Sequence, residues 1–392
     1  MILTIEIVIF WVAVALMFHS YVFFPMLINI LARRKESNTN VYEPSDNSLP
    51  FVSIVIAAYN EEKVIAQRIH DIMLTDYPVE KLEILVGSDA SSDKTNEILN
   101  ELSQQYPQLK VYVFEQRTGK GNILNSLVQK VNGEFCLFTD ANISFMKDTI
   151  YHLIKHFKNP DIGLVGGNIR SSEVRNDGIS RQENSFISNE MRIKHNEGKL
   201  WGTMIGAYGA CYMMRTSLYV EIPQAFIVDD FFVSMKVIEK NKLSILEMNA
   251  ICFEHIPNLL EEEFRRKVRI STGNFQNMHV LRNLLFQFTP LSFCYLSHKV
   301  IRWIGPFLLC IAFMINLLLY HISPFFMITM CLQGILILIP LIDYFLRKIH
   351  IHIIILRFIT HFYSMNFALI VGFCKYLKGV KTNVWKPTTR EY

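Results

Sequence analysis

Apolar residues gather at the two ends of the chain and fall into short runs through its middle. Ile7 to Ala32 is an almost unbroken apolar run, preceded by Glu6 and lacking a basic leading segment. That pattern predicts a retained transmembrane anchor rather than a cleaved secretory signal. Towards the other end, Trp303 to Ile342 contains no Asp, Glu, Lys or Arg. Because about 20 apolar residues cross a bilayer core, this stretch predicts two spans turning near His321 to Pro324. Ile351 to Phe373 predicts a further span, despite Arg357 and His361 within it.

Between the ends the pattern shortens. From Phe51 the runs FVSIVIAA, LEILVGSD, LKVYVFE, EFCLFTD and IGLVGGN are separated by helix-like stretches. Continuous apolar strands joined by helices are buried on both faces, which predicts a parallel sheet in an α/β domain. The ligand crevice of such a sheet lies beyond the carboxyl ends of its strands, where Asp89 and Asp140 both fall. The stretch from Asn258 to Asn283, with EEEFRRKVR near its start, predicts amphipathic helices against a membrane surface.

These shifts divide the chain into an anchor (1–35), a linker (36–50), an α/β domain (51–255), interface helices (256–302), C-terminal spans (303–374) and a tail (375–392). Arg33, Arg34 and Lys35 follow the first span, so the positive-inside rule puts the α/β domain in the cytoplasm of a multi-pass cell-membrane protein. Four single crossings would then leave the tail outside, although it carries Lys375, Lys378, Lys381, Lys386 and Arg390. An interfacial or re-entrant segment near Asn283 to Arg302, or around His350, would reconcile the two.

Composition fits this picture. A hydrophobic content of 51% and a mean hydropathy of +0.23 imply a membrane-embedded fraction and a lipid bilayer as partner. The net charge of +4 comes from dispersed Lys and Arg, which gives no case for nucleic acid. The 7 cysteines occur singly and without a CxxC pair, as small buried residues of a reducing compartment.

Five short motifs carry candidate chemistry, each beside a plainer reading. AAYNEE (57–62) ends the first strand, where Asn60 could simply cap the next helix. SDASSDKT (88–95) follows the second strand, and Asp89 could accept hydrogen bonds from a base or ribose. RTGKGNILN (117–125) sets Lys120 between two glycines at a helix start; it is not a GxxxxGK phosphate loop, and the lysine serves either a diphosphate or solvent. FTDAN (138–142) offers Asp140 and Asn142 as oxygen ligands to one hard cation, or else an Asx turn. In VDDF (228–231) Asp229 and Asp230 open a helix as first-turn acids, or supply a general base. Further on, Arg266 and Arg269 share a helix face and could hold a leaving diphosphate, or anchor the helix to lipid.

In this order the motifs resemble those of membrane-anchored family 2 glycosyltransferases, the group of hyaluronan, cellulose and poly-N-acetylglucosamine synthases, from about Phe51 to Asn274. The resemblance implies an α/β GT-A domain, a nucleotide-sugar-binding and mainly parallel sheet, plus transmembrane α-helices. It implies that Ala58, Tyr59 and Glu61 contact the nucleoside of a UDP-sugar donor, that Asp89 holds the uracil or ribose, and that Lys120 lies near the nucleotide. Asp140 matches the first acid of the family's metal motif for Mg²⁺ or Mn²⁺, with Asn142 in place of the second. Asp230 matches the catalytic base, Gly206 to Arg215 the acceptor-side segment, and Arg269 the diphosphate arginine. The tryptophan expected after that arginine is Ile270, which leans away from processive synthesis. The expected activity is inverting transfer of a hexose or N-acetylhexosamine to a membrane-associated glycan or lipid-linked acceptor, with polysaccharide-assembly proteins as possible partners. A processive, translocating polysaccharide synthase and a catalytically silent nucleotide-binding scaffold are the alternatives.

Overall fold

The five apolar runs between Phe51 and Asn168 become strands of one mixed sheet. The computed structural model describes residues 1–46, 48–172, 179–255, 258–349 and 351–384, so Lys386, Arg390 and His350 lie outside the described residues. Its strands are β1 (Val52–Ala58), β2 (Leu82–Asp89), β3 (Leu109–Phe114), β4 (Phe135–Thr139), β5 (Ser144–Phe145), β6 (Ile162–Ser171), β7 (Cys211–Arg215) and β8 (Leu243–Glu254). Counting helices that continue through a π turn as one, the helices are α1 (Ile2–Ala32), α2 (Ile65–Met73), α3 (Thr95–Gln105), α4 (Lys120–Val128), α5 (Thr149–Ile154), α6 (Ser180–Trp201), α7 (Asp229–Glu239), α8 (Leu260–Val280), α9 (Pro290–Leu319), α10 (Pro324–Lys348) and α11 (Ile354–Leu377).

The sheet order is β3-β2-β1-β4-β7-β6-β8-β5. β1, β2, β3 and β4 run parallel to one another, as do β6 and β8, whereas β7 is antiparallel to both β4 and β6 and β5 is antiparallel to β8. The strand–helix alternation explains the parallel half, since each helix returns the chain to start a strand in the same direction. After α6 the chain enters β7 directly through the turn at Gly206 to Gly209, so this strand runs the other way. The carboxyl end of β4 therefore meets the amino end of β7, with Thr139 opposite Cys211.

Two compact units emerge. One contains residues 28–172, 184–255 and 380–384 and holds the whole sheet; the other contains residues 1–27, 179–183 and 258–379. In the sheet unit, fully buried Ile54, Ile56, Ile84 and Val86 pack with Ile65, Ile69 and Leu127 from the helices. A buried carboxylate fixes the strands at their other end. Glu83 accepts hydrogen bonds from Ser53 Oγ (2.5 Å), Lys110 Nζ (2.7 Å), the Asn132 N–H (2.6 Å) and Asn132 Nδ2 (2.8 Å), joining β1, β2, β3 and the approach to β4. Burial disfavours its charge, but these four donors outweigh the penalty and hold the carboxyl below its ordinary value of 4.5.

In the second unit, four helices are long and apolar enough to cross a membrane: α1, α9, α10 and α11. Phe10 and Ala13 of α1 pack against Ala312, Leu319 and Phe326 of α9 and α10. Along α8 runs α11, with Ser271 Oγ donating to the Leu369 carbonyl (3.1 Å), Thr272 Oγ1 to that of Gly372 (3.2 Å), and the Phe275 and Phe373 rings 4.9 Å apart.

Replacing Glu83 with leucine strands four donors, at a cost of at least ~2 kcal/mol. Thermal unfolding followed by circular dichroism should fall by roughly 5 °C. Because the folded carboxyl is held below its unfolded value, its contribution is full above pH 4.5 and fades as pH falls. The difference between wild type and Glu83→Leu should therefore narrow under acid conditions.

Candidate active site

The site assembles where β1, β2 and β4 end. Asn60 and Ala90, just beyond β1 and β2, adopt left-handed backbone with φ of 54° and 56°, which turns each chain sharply out of the sheet. The two turns are laced together. Asn60 Oδ1 accepts from the Ser92 N–H (2.8 Å), the Glu61 N–H donates to Thr95 Oγ1 (2.9 Å), the Glu62 N–H to Asp93 Oδ2 (3.1 Å), and the Lys94 N–H to Glu62 Oε2 (3.0 Å). Tyr59 lies under the Arg117 guanidinium, 3.5 Å from carbon to ring centroid, while Ala58 is buried opposite Ser88 at the last step of the β1–β2 ladder.

Asp89 turns its carboxylate towards the next loop. It accepts from the N–H groups of Thr118 (2.6 Å) and Gly119 (2.9 Å). Gly119 needs to be glycine, because its φ is +89° and a methyl there would stand 2.1 Å from Asn383 Oδ1. This brace delivers Lys120, the first residue of α4, across the sheet end to Asp140. Their Nζ and Oδ1 are 2.6 Å apart, with both side chains about one-third exposed, at 38% and 33%.

Opposite stands the first turn of α7. Asp229 and Asp230 lie within it, where the helix dipole favours negative charge, and the Phe231 N–H donates to Asp230 Oδ1 (2.8 Å). The Gly206 to Gly209 turn covers them: the Ala207 N–H donates to Ser234 Oγ (3.0 Å), and a methyl on Gly209 would lie 2.7 Å from Asp230 Oδ2. Burial and the neighbouring Asp229 push the Asp230 carboxyl up to about 6, against the pull of Lys120, the Phe231 N–H and Lys194. Burial likewise opposes the charge on Lys120, but Asp140, Asp229 and Asp230 prevail and hold its ammonium above the ordinary value. The four groups therefore form one electrostatic cluster.

The cluster's oxygens suit a hard cation. Asp140 offers a partly exposed carboxylate, and the amide nitrogen of Asn142, two residues on, is buried with no hydrogen-bond partner among the described residues, so that amide is not committed to the fold. Among the described residues no group of three or more His, Cys, Asp or Glu is arranged to hold a metal. A cation here would draw its other ligands from water and substrate oxygens, as Mg²⁺ commonly does.

Arg266 and Arg269 lie on α8 in the other unit. Arg266 is held by Glu263 (Nε to Oε2, 2.9 Å) and Glu183 (Nη2 to Oε1, 2.9 Å), and Lys267 reaches the same Glu183 oxygen (2.9 Å). Two charged residues that sequence reasoning passed over also stand out. Lys194, buried on α6, sits 5.7 Å from the Tyr208 ring centroid and within electrostatic reach of Asp230. Its spacing from Ile187 and Met191, both buried on the same helix, marks it as a cation on a core-facing stripe. Arg68, buried at 2% exposure, stands at i+3 from Ile65 on the core face of α2 for the same reason.

Known proteins resemble this chain in sequence and fold. The family model described as "Glycosyl transferase family 2" matches residues 53–222. The beta-monoglucosyldiacylglycerol synthase of Trichormus variabilis is 34% identical over 146 residues, 37% of this chain and 30% of that protein. The poly-beta-1,6-N-acetyl-D-glucosamine synthase of Staphylococcus aureus is 26% identical over 246 residues, 62% of this chain and 58% of that protein. These matches span less than two-thirds of the relatives' own lengths. A mannosyltransferase from Pyrobaculum calidifontis, solved in complex with GDP-Man and Mn²⁺, superposes with a TM-score of 0.69 at 19% identity, covering 94% of this chain and 99% of that one. Residues 53–222 are a family 2 glycosyltransferase domain, set in a sheet unit of the GT-A fold.

Proposed function

We propose that the protein is an inverting glycosyltransferase that moves a hexose or N-acetylhexosamine from a UDP-sugar to a hydroxyl of a membrane-associated glycan or lipid-linked acceptor. The observation that carries this reading is the convergence of Asp140 and the half-buried Asp230 around one ammonium, Lys120. A silent scaffold has no use for a carboxyl raised towards neutrality beside a second acid. The names of the two sequence relatives, a glycolipid synthase and a polysaccharide synthase, support a sugar-nucleotide donor and a membrane acceptor.

In this mechanism Asp230 takes the proton of the acceptor hydroxyl as that oxygen bonds to the anomeric carbon. The bond from that carbon to the donor phosphate breaks, and the electron pair leaves with UDP. Attack from the opposite face inverts the centre, so one base suffices. Lys120 supplies fixed positive charge near the diphosphate, in a partly buried site where such charge counts for more than in water. Mg²⁺ or Mn²⁺ held by Asp140, with the Asn142 amide beside it, would neutralise further diphosphate charge when bound. Asp89, through the Thr118 and Gly119 N–H groups, sets the loop that presents Lys120, and retains lone pairs for a ribose or base donor. Ala58, Tyr59 and Glu61 remain the proposed nucleoside contacts. Of the two arginines, Arg269 is the one the reading relies on for the diphosphate, because it matches the family's diphosphate arginine; Arg266 is engaged by two buried carboxylates. Ile270, where the family has tryptophan, favours single addition over processive extension.

The same reading takes the sheet unit to be cytoplasmic, with three crossings. Asn383 lies against Gly119 and Gly121 of that unit, which supports a tail on the same side. With α1, α9 and α10 crossing, α11 lies in the interface beside the charged helix α8, which supports a cytoplasmic tail.

Asp230→Asn should lower donor turnover by about 10² to 10⁴ while UDP binding, measured by calorimetry, persists; unchanged turnover would exclude Asp230 as the base. The base is active when ionised, so kcat/KM should fall below about pH 6 with the loss of one ionisation. Since Lys120 pulls that value down, Lys120→Met should move the acid limb to higher pH. For topology, a cysteine at Lys381 should react with an impermeant maleimide in inside-out vesicles and stay unlabelled in right-side-out ones.

A further inference from the structure

The junction between β4 and β7 contains a buried cation that the mechanism does not use. Arg68 donates from Nη2 to Thr139 Oγ1 (2.9 Å), and its guanidinium lies over the Phe145 ring, 3.8 Å from the centroid. Thr139 Oγ1 in turn donates to the Ala210 carbonyl (2.8 Å). Arg68 can only donate, so it takes a lone pair of the hydroxyl, whose one proton goes to the Ala210 carbonyl at 2.8 Å rather than to that of Asp140 at 3.5 Å. Thr139 and Cys211 are the last paired residues of the ladder, and the Thr139–Ala210 bond extends it by one step.

Immediately beyond this step the two chains separate, one to Asp140 and the other to Gly209, which packs on Asp230 Oδ2. We infer that Arg68 is a positioning residue, which fixes the spacing of Asp140 and Asp230 by orienting the Thr139 hydroxyl that clamps their two chains together. The inference rests on the roles proposed above for those two aspartates.

Stability alone does not account for an arginine here. Its Nε and Nη1 have no hydrogen-bond partner among the described residues, and stranded buried donors are costly. An apolar side chain of similar length would avoid that cost, as replacements of other buried charges have shown. Burial lowers its pKa to about 10, with Cys211, Cys252, Asp71 and Asp140 acting the other way, so it keeps its charge at neutral pH. What the guanidinium contributes is direction: a planar fork stacked on Phe145 aims one N–H at Thr139, which a flexible lysine does not reproduce.

The test is a cycle of Arg68→Met, Thr139→Val and the double variant in full-length protein in lipid, read by UDP release from whichever UDP-sugar the wild type turns over. Because small misplacements of reacting groups cost up to about 10²-fold, each single variant should lose roughly 10- to 100-fold in kcat. The KM for donor should move far less, and the unfolding temperature should hold. The double variant should be no worse than either single one, because both break the same clamp. Activity within about twofold of wild type in Arg68→Met, losses that multiply in the double variant, or a loss that tracks the unfolding temperature would each overturn the inference. If Arg68→Met fails to fold, Thr139→Val decides: kcat lost with melting unchanged supports the clamp, and retained kcat refutes it. A wild type that turns over no donor overturns the parent reading as well, which separates the two failures.

Discussion

Three carboxylates around one ammonium are the constraint on which this site is built. Asp140, Asp229 and Asp230 cannot share a partly buried space as full charges unless positive charge lies among them, and Lys120 provides it. The balance leaves the acids unequal. Asp140 is directly paired with the ammonium, whereas Asp230, half-buried beside another acid, is shifted towards neutrality. One arrangement thus yields a group suited to a cation and a group suited to a proton.

Much of the sheet unit serves to hold that cluster. The laced turns after β1 and β2 fix Asp89, Asp89 fixes the Gly119 loop, and the loop fixes Lys120. On the other side the Gly206 to Gly209 turn presses on the first turn of α7, where any side chain at 209 would collide with Asp230. At the opposite end of the strands Glu83 ties β1, β2 and β3 together, so the registers that bring β1, β2 and β4 to a common edge are set far from the chemistry. The second unit handles charge in the same manner: Glu183 and Glu263, both fully buried, are matched by Arg266 and Lys267.

Local patterning determined a good deal by itself. Apolar runs of strand length gave β1, β2, β4 and β6, which are buried on both faces, and the half-exposed edge strand β3. Long uncharged stretches gave the helices able to span a membrane, since a bilayer sets their length. The motifs at strand ends placed Asp89, Lys120, Asp140 and Asp230 in candidate roles, each beside a plainer turn or cap that the residues alone could not dismiss.

Tertiary structure decided the rest, because it depends on groups distant in the chain. The antiparallel half of the sheet was not legible: β7 is only five residues long and follows a helix and a glycine turn, and β5 has two residues. Nor did the sequence say that Asp89 would be braced by Thr118 and Gly119, or that Arg266 would be drawn to Glu183, 83 residues away. Arg68 and Lys194 were invisible as functional groups, since a cation on a helix reads as solvated until the fold turns that face inward. Hydrophobic period is a local property and survives in the sequence; charge pairing and pKa depend on which distant residues share a buried volume, and only the folded chain specifies that.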